Sequence, residues 1–338
     1  MIHLKRIALP AGFAALAISQ AAARPAAPVP VARNGEKPRN VIFILSDDHR
    51  YDFMGFTGAV PWLQTPALDR MAREGACLKN AFVTTSLSSP SRASILTGLF
   101  THTHTVVDNQ APKPDDLVFF PQYLQQNGYR TAFFGKWHMG NQDDMPQPGF
   151  DHWEGFRGQG TYYNTVLNIN GERVKFDPEL YSTDILTDHA IDFVRDNEEG
   201  PFFIYLSYKS VHSGFQPSPS RKGMYKDEKA VYPPSFNVPE YGIPRLPGKD
   251  ADGRPLAGRG WYGESRLPDW VKNQRESWHG VDYQYHGALP YEEDFRNYCE
   301  TVTSMDDAIG RLLDFLQAEG LGESTLVIYM GDNGFTWG

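Results

Sequence analysis

The chain has 338 residues, 41% of them hydrophobic and 22% charged, with a formal net charge of −9. That balance is ordinary for a globular protein and excludes global disorder. Its acidity excludes general nucleic-acid binding, and any anionic substrate would need a locally positive pocket.

Lys5 and Arg6 precede an apolar stretch, Ile7 to Ile18, that is too short to span a bilayer. Ala21-Ala22-Ala23 then offers a small-x-small cleavage pattern. Residues 1–23 are therefore expected to be a signal peptide, and the Pro/Ala-rich residues 24–39 a linker. Export to the periplasm or the outside is the consequence, with no membrane anchor. From residue 40 onward a single domain is expected, in which apolar runs alternate with helical patterns. Val41–Leu45 is continuously apolar, as a strand buried on both faces should be. Thr65 as N-cap, Pro66 in the first turn and Gly75 as the stop bracket a helix carrying Leu68 and Met71. Phe120–Asn127 reads as a helix ended by Gly128, before the strand Thr131–Phe134. Ser182 or Thr183 caps a helix running to about Asn197, and Phe202–Tyr208 is the next strand. A long amphipathic helix over Tyr298–Glu319 precedes the strand Thr325–Met330. This rhythm predicts an α/β fold with a mainly parallel central sheet flanked by helices.

Residues 213–290 break the rhythm, being dense in Pro and Gly and carrying Trp261, Trp270 and Trp278. They read as an insertion over one end of the sheet, either shaping a pocket or packing as a surface loop. Cys77 and Cys299 are far apart in sequence and read as two separate thiols.

Open α/β sheets bind ligands beyond the carboxyl ends of their strands. Four predicted strands end in reactive residues. Ser46, Asp47 and Asp48 come after the first, and Lys136, Trp137 and His138 after the second. Lys209 and His212 come after the third, Asp332 and Asn333 after the last. Asp47, Asp48, Asp332 and Asn333 supply only oxygen, which favours Ca2+ with Mg2+ as second choice, unless each acidic pair merely caps a turn. Ser88-Ser89-Pro90-Ser91-Arg92 reads as a loop entering a helix, with Ser88 just before it. There Ser88 is either an N-cap or a nucleophile set where backbone N–H groups favour an anion. His102 and His104 read as packing residues, and spacing assigns no role to His49, His279 or His286.

The eleven residues Ser88–Gly98 fit every fixed position of a pattern: Cys or Ser, any residue, Pro-Ser-Arg, three residues, Leu-Thr-Gly. In this the chain resembles the formylglycine-dependent sulfatases of the alkaline-phosphatase superfamily, in their serine-type form. Asp47-Asp48, Gly135–His138, His212 and Asp332-Asn333-Gly334 extend the resemblance in the family's order. It implies a sulfuric ester hydrolase whose Ser88 is oxidised to formylglycine by a maturase. One hydroxyl of the hydrated aldehyde attacks sulfur, and the second lets the covalent ester collapse by elimination. It further implies one divalent cation on Asp47, Asp48, Asp332, Asn333 and the Ser88 hydrate, with Lys136 offsetting sulfate charge. Arg92 would steady the hydrate, His138 would take the second hydroxyl's proton, and His212 would bind sulfate or protonate the leaving group. A sulfated carbohydrate is the expected substrate, since the aromatic insertion could stack on sugar rings. Such sulfatases continue past Asp-Asn-Gly into a Gly-x-His-Gly segment, a further lysine and a smaller C-terminal subdomain. The chain ends at Gly338, so a truncated catalytic domain over 40–338 with impaired turnover is expected. A phosphoester or phosphonate hydrolase of the same superfamily is the alternative, as is a sulfate-ester-binding fragment without activity.

Overall fold

Uninterrupted apolar runs become the middle of the sheet because both of their faces are covered. The computed structural model describes residues 39–140, 142–197, 200–232, 268 and 291–337. The expected leader, nearly all of the linker, most of the 213–290 insertion, His279 and His286 lie outside these.

Seven strands form one sheet: β1 (Asn40–Ser46), β2 (Arg130–Lys136), β3 (His152–Phe156), β4 (Val166–Ile169), β5 (Glu172–Lys175), β6 (Phe202–Ser207) and β7 (Thr325–Gly331). Their order is β5-β4-β3-β2-β6-β1-β7. The five from β3 to β7 in that order are parallel, whereas β4 runs antiparallel to both β3 and β5. The mainly parallel α/β architecture is thus as predicted.

Side chains alternate between two apolar layers. Ile42, Ile44, Phe134, Ile204 and Leu206 face one core, and Phe43, Leu45, Phe133, Phe203 and Tyr205 face the other. Helices α1 (Pro66–Glu74), α2 (Ser88–Thr97), α3 (Thr101–His104), α4 (Phe120–Gln126), α5 (Ser182–Arg195) and α6 (Tyr291–Ala318) flank the sheet. Among the described residues no helix is long and apolar enough to cross a membrane.

The first core is sealed by α6, which begins seven residues before the expected Tyr298. Phe295, Tyr298, Cys299, Val302, Met305, Ile309, Leu312 and Leu316 recur at helical spacing and are all buried. Asp306 of the same helix accepts from the backbone N–H of Ala67 (2.9 Å) and Leu68 (2.8 Å), serving the first turn of α1. Thr65 occupies the N-cap position of α1, but its hydroxyl donates to Asp69 Oδ1 at 2.9 Å instead of capping. Cys77 is exposed and Cys299 buried, both as free thiols.

The β3–β5 region was not anticipated from the sequence. β3 mixes His152 and Glu154 with aromatics, and all of β5 is exposed, so no apolar run marks them. Asn170-Gly171 is the signal that could have found the hairpin. Both residues have positive φ (51° and 104°), as a two-residue hairpin turn requires.

Candidate functional site

β2, β6, β1 and β7 are neighbours, so the segments leaving their carboxyl ends converge on one edge of the sheet. Close packing begins with the backbone. Gly135 (φ 106°) approaches β6 so closely that a Cβ there would collide with the Ser207 carbonyl oxygen. The next residue, Lys136, is 1% exposed; Asp47 and Asp332 are fully buried and Arg92 is 1% exposed.

Ser88 is the first residue of α2, not the residue before it, and Leu87 takes the N-cap position. The N-cap alternative for Ser88 is thereby removed. Its hydroxyl instead donates to Asp47 Oδ1 at 3.2 Å. The serine-rich first turn of α2 is stitched to two strand ends. Ser89 Oγ donates to the His138 carbonyl and Ser91 Oγ to the Asp332 carbonyl. Ala93 and Leu96 pack the opposite side of the helix into the second core.

The ammonium of Lys136 donates to Asp47 Oδ2, to Ser88 Oγ at 3.3 Å and to Gln159 Oε1 at 2.6 Å. Arg92 gives its guanidinium to Asp332 Oδ2 (2.8 Å from Nη2), to the Lys136 carbonyl (2.9 Å) and to Ser207 Oγ (2.7 Å). It therefore fixes Asp332 and the end of β2, and Asp47 Oδ1 lies 3.6 Å from its Nη2. Asn333 Nδ2 donates to Asp48 Oδ1, and Asp48 N–H donates to Asp332 Oδ1 at 3.1 Å. His212 Nε2 is 3.7 Å from Asp48 Oδ2. His138, with φ 56°, sets its carbonyl against α2. The structure thus brings eight of the nine expected site residues into one linked network through their side chains, and His138 through its main chain.

The carboxylates are unevenly paired. One oxygen each of Asp47, Asp48 and Asp332 lies within 4.8 Å of the others. Burial favours a protonated Asp47, but Lys136 and Arg92 outweigh it and hold this carboxyl below its ordinary range. Asp48 has no such pairing: burial, then the charges of Asp47 and Asp332, push it well above the ordinary range. Burial and Asp47 likewise raise Asp332. In the same pocket, Asn333 Oδ1 is buried with no hydrogen-bond partner. Three crowded carboxylates and an orphaned amide oxygen are an all-oxygen donor set that fits a hard divalent cation.

On the cationic side, burial pulls the Lys209 ammonium down to about 8. Burial, then Lys136 and Lys209, press His212 well below the ordinary imidazole range, leaving it neutral at neutral pH. The other described histidines play supporting parts. His49 Nε2 meets the Phe53 carbonyl at 2.8 Å, and burial pushes the ring down to about 4. His104 Nε2 meets Ser94 Oγ at 3.0 Å, while His102 stacks on Phe100.

Gln159 was not foreseen. It lies just beyond β3, whose carboxyl end opens at the same edge because β3 runs parallel to β2. Without β3, nothing in the sequence pointed to it. Tyr298 was read only as a helix residue, yet its hydroxyl donates to the Asp48 carbonyl at 3.0 Å and accepts from Arg50 N–H at 2.9 Å.

Known proteins resemble this chain in sequence and fold. The family model described as Sulfatase matches residues 39–337. An N-acetylglucosamine-6-O-sulfatase of Bacteroides thetaiotaomicron is 32% identical over 89% of the chain and 59% of its own length. An extracellular sulfatase of Drosophila melanogaster is 25% identical over 90% of the chain and 25% of its own. A solved structure in complex with its substrate, D-glucosamine-2-N,6-O-disulfate, superposes with a TM-score of 0.67 at 29% identity. That alignment covers 88% of this chain and 66% of the other. The chain thus spans about three-fifths of the bacterial relative.

Proposed function

The chain belongs to the sulfatase family, and on that premise we propose that it forms the nucleophile-bearing, sulfate-binding part of an enzyme hydrolysing sulfate monoesters of a carbohydrate. The observation that carries this reading is the buried contact set in which Ser88 Oγ touches both Asp47 and Lys136. The names of the relatives support a sulfated glucosamine unit as the substrate class. A leader over residues 1–23 would deliver the protein to the periplasm or the outside, a reading supported by an extracellular relative.

Asp47, Asp48, Asp332 and Asn333, with the Ser88 oxygen, would hold one divalent cation, Ca2+ ahead of Mg2+, which would supply a Lewis acid at the nucleophile. Ser88, oxidised by a maturase to formylglycine, would supply a hydrate with one hydroxyl for attack and another for release. The remaining work belongs to the surrounding side chains. Asp47 orients the Ser88 oxygen through the hydrogen bond it accepts. Lys136, donating to the same oxygen, stands where it offsets the charge of an arriving sulfate. Arg92 holds Asp332 in place through its bonds to Oδ2 and opposes the rise that burial and Asp47 impose on that carboxyl. His212, neutral at rest, presents Nε2 toward Asp48, where it binds a sulfate oxygen or, once the ring has taken up a proton, passes it to the leaving alcohol. His138 would take the proton of the second hydroxyl of that hydrate. An acidic protein can thus accept an anion where the Lys136 ammonium, and a cation held by the carboxylates, would stand beside Ser88.

Peptide mass spectrometry and paired assays on aryl sulfate and aryl phosphate test the reading. The Ser88 peptide should lose two hydrogens, and sulfate turnover should exceed phosphate turnover and vanish in Ser88→Ala. Phosphate preference, or full turnover by Ser88→Ala, would refute it.

A further inference from the structure

We propose that Lys209 is a second substrate-contacting ammonium, donating to a non-bridging oxygen of the ester sulfate beside Lys136. This rests on the sulfate-ester reading above and adds a residue that reading does not use.

Lys209 is 7% exposed. Among the described residues its ammonium meets one partner, the ring of Tyr162, whose centroid lies 4.9 Å from Nζ. A lysine ammonium carries three donors, and an aromatic face satisfies none of them as a hydrogen bond. Burying most of such a residue is costly, and an arriving anion would supply the acceptor that the surrounding side chains do not. Lys136 differs on this point, for it already has Asp47, Ser88 and Gln159 as acceptors. Arg92 is likewise engaged by Asp332, the Lys136 carbonyl and Ser207. Of the three buried cations at this edge, Lys209 is the one with donors to spare.

Its backbone is held at the site from both sides. Tyr208 N–H donates to the Leu45 carbonyl at 2.9 Å, and Asp47 N–H donates to the Ser210 carbonyl at 2.8 Å. The Lys209 carbonyl accepts from His212 N–H at 2.9 Å, so ammonium and imidazole rise from one turn. Tyr162 braces that turn, underlying the ammonium with its ring and donating its hydroxyl to the His212 carbonyl at 2.7 Å. Val211 N–H also donates to the Asp47 carbonyl at 2.7 Å, so the turn that carries Lys209 packs against the residue whose carboxylate accepts from Ser88 Oγ. A sulfate monoester brings three non-bridging oxygens and one negative charge. One oxygen can take the free Lys209 donors without displacing any hydrogen bond now present.

The test compares wild type with Lys209→Met, Lys209→Gln, Lys209→Arg and Lys136→Met. It reads KM and kcat on a monosulfated aryl ester, inhibition by inorganic sulfate, and the melting temperature. Loss of one charge-assisted bond predicts about a tenfold rise in KM and in the sulfate inhibition constant for the Met and Gln variants, with kcat and melting nearly unchanged. Lys209→Arg should recover most of the affinity. Wild-type KM and sulfate inhibition in a folded Met or Gln variant overturn the proposal while leaving the sulfatase reading intact. So does a defect confined to a disulfated sugar, which would put Lys209 against a different anionic group. A wild-type protein that neither hydrolyses the aryl ester nor binds sulfate refutes the underlying reading and this proposal together.

Discussion

Two clusters of ionisable side chains in this protein have opposite electrostatics. In one, Glu154 of β3 accepts from His152 Nε2 (2.8 Å) and His189 Nδ1 (2.6 Å). The carboxylate is buried, while the two histidines are 26% and 29% exposed at the side chain. Burial would raise Glu154, but the hydrogen bonds from both imidazoles overcome it and lower the carboxyl. The bond to Glu154 in turn raises His189. That cluster closes on itself. The cluster around Ser88 does not: Lys136 and Arg92 pair with Asp47 and Asp332, but among the described residues no lysine or arginine bonds to Asp48, and Asn333 Oδ1 has no hydrogen-bond partner. A self-satisfied cluster is structural, whereas a buried one with charge and lone pairs left over is built for something added.

The largest expected effect comes from removing a carboxylate that is already paired. Asp332→Ala would strand the buried guanidinium of Arg92, costing about 3–5 kcal/mol in denaturant unfolding. An equal loss on Glu154→Gln, where the partners can reach water, would erase the distinction between the clusters.

Next comes the added charge itself. Saturating calcium at about a hundred times its dissociation constant should stabilise the protein by roughly 2.7 kcal/mol over a chelated sample. Asp48→Asn should abolish that increment and yet stabilise the chelated protein, because it removes a carboxyl that burial, Asp47 and Asp332 all disfavour in its charged form. Linkage fixes the sign. A carboxyl raised in the folded state imposes no penalty below its ordinary 3.8, and the penalty grows as pH climbs to the raised value. Chelated protein should therefore gain from acidification relative to the calcium-loaded form in paired thermal melts. A calcium-independent melt, or a less stable chelated Asp48→Asn, contradicts the cation reading.

The smallest effect belongs to the closed cluster. His189→Gln should cost about 0.5–1.5 kcal/mol. The raised imidazole contributes fully below its ordinary 6.5 and loses that contribution as pH rises through its folded value. The lowered Glu154 contributes above its ordinary 4.5. The cost should thus peak between those two values and shrink at alkaline pH, and a pH-independent cost would break the assignment.

Much of the fold was legible because its signals are local. The apolar run Val41–Leu45, the Thr65-Pro66 helix start and the Gly128 stop each mark an element boundary within a residue or two. The start of α6 at Tyr291 was less legible, since Glu292, Glu293 and Asp294 hide an amphipathic turn behind charge. Asp47, Lys136, His212 and Asp332 could be nominated because each sits at or just past the end of a readable strand. Gln159 could not, because β3 carries no apolar run.

By itself the sequence determined the alternation of strands and helices, the Ser88–Gly98 pattern and an all-oxygen donor set, all of them properties of residue type and short-range spacing. Only the tertiary structure decided the order β2-β6-β1-β7, the presence of Gln159 on Lys136, and the difference between a saturated Lys136 and a Lys209 with donors in reserve. Those depend on contacts between residues tens to hundreds of positions apart, where burial and charge balance are set by what the chain brings alongside.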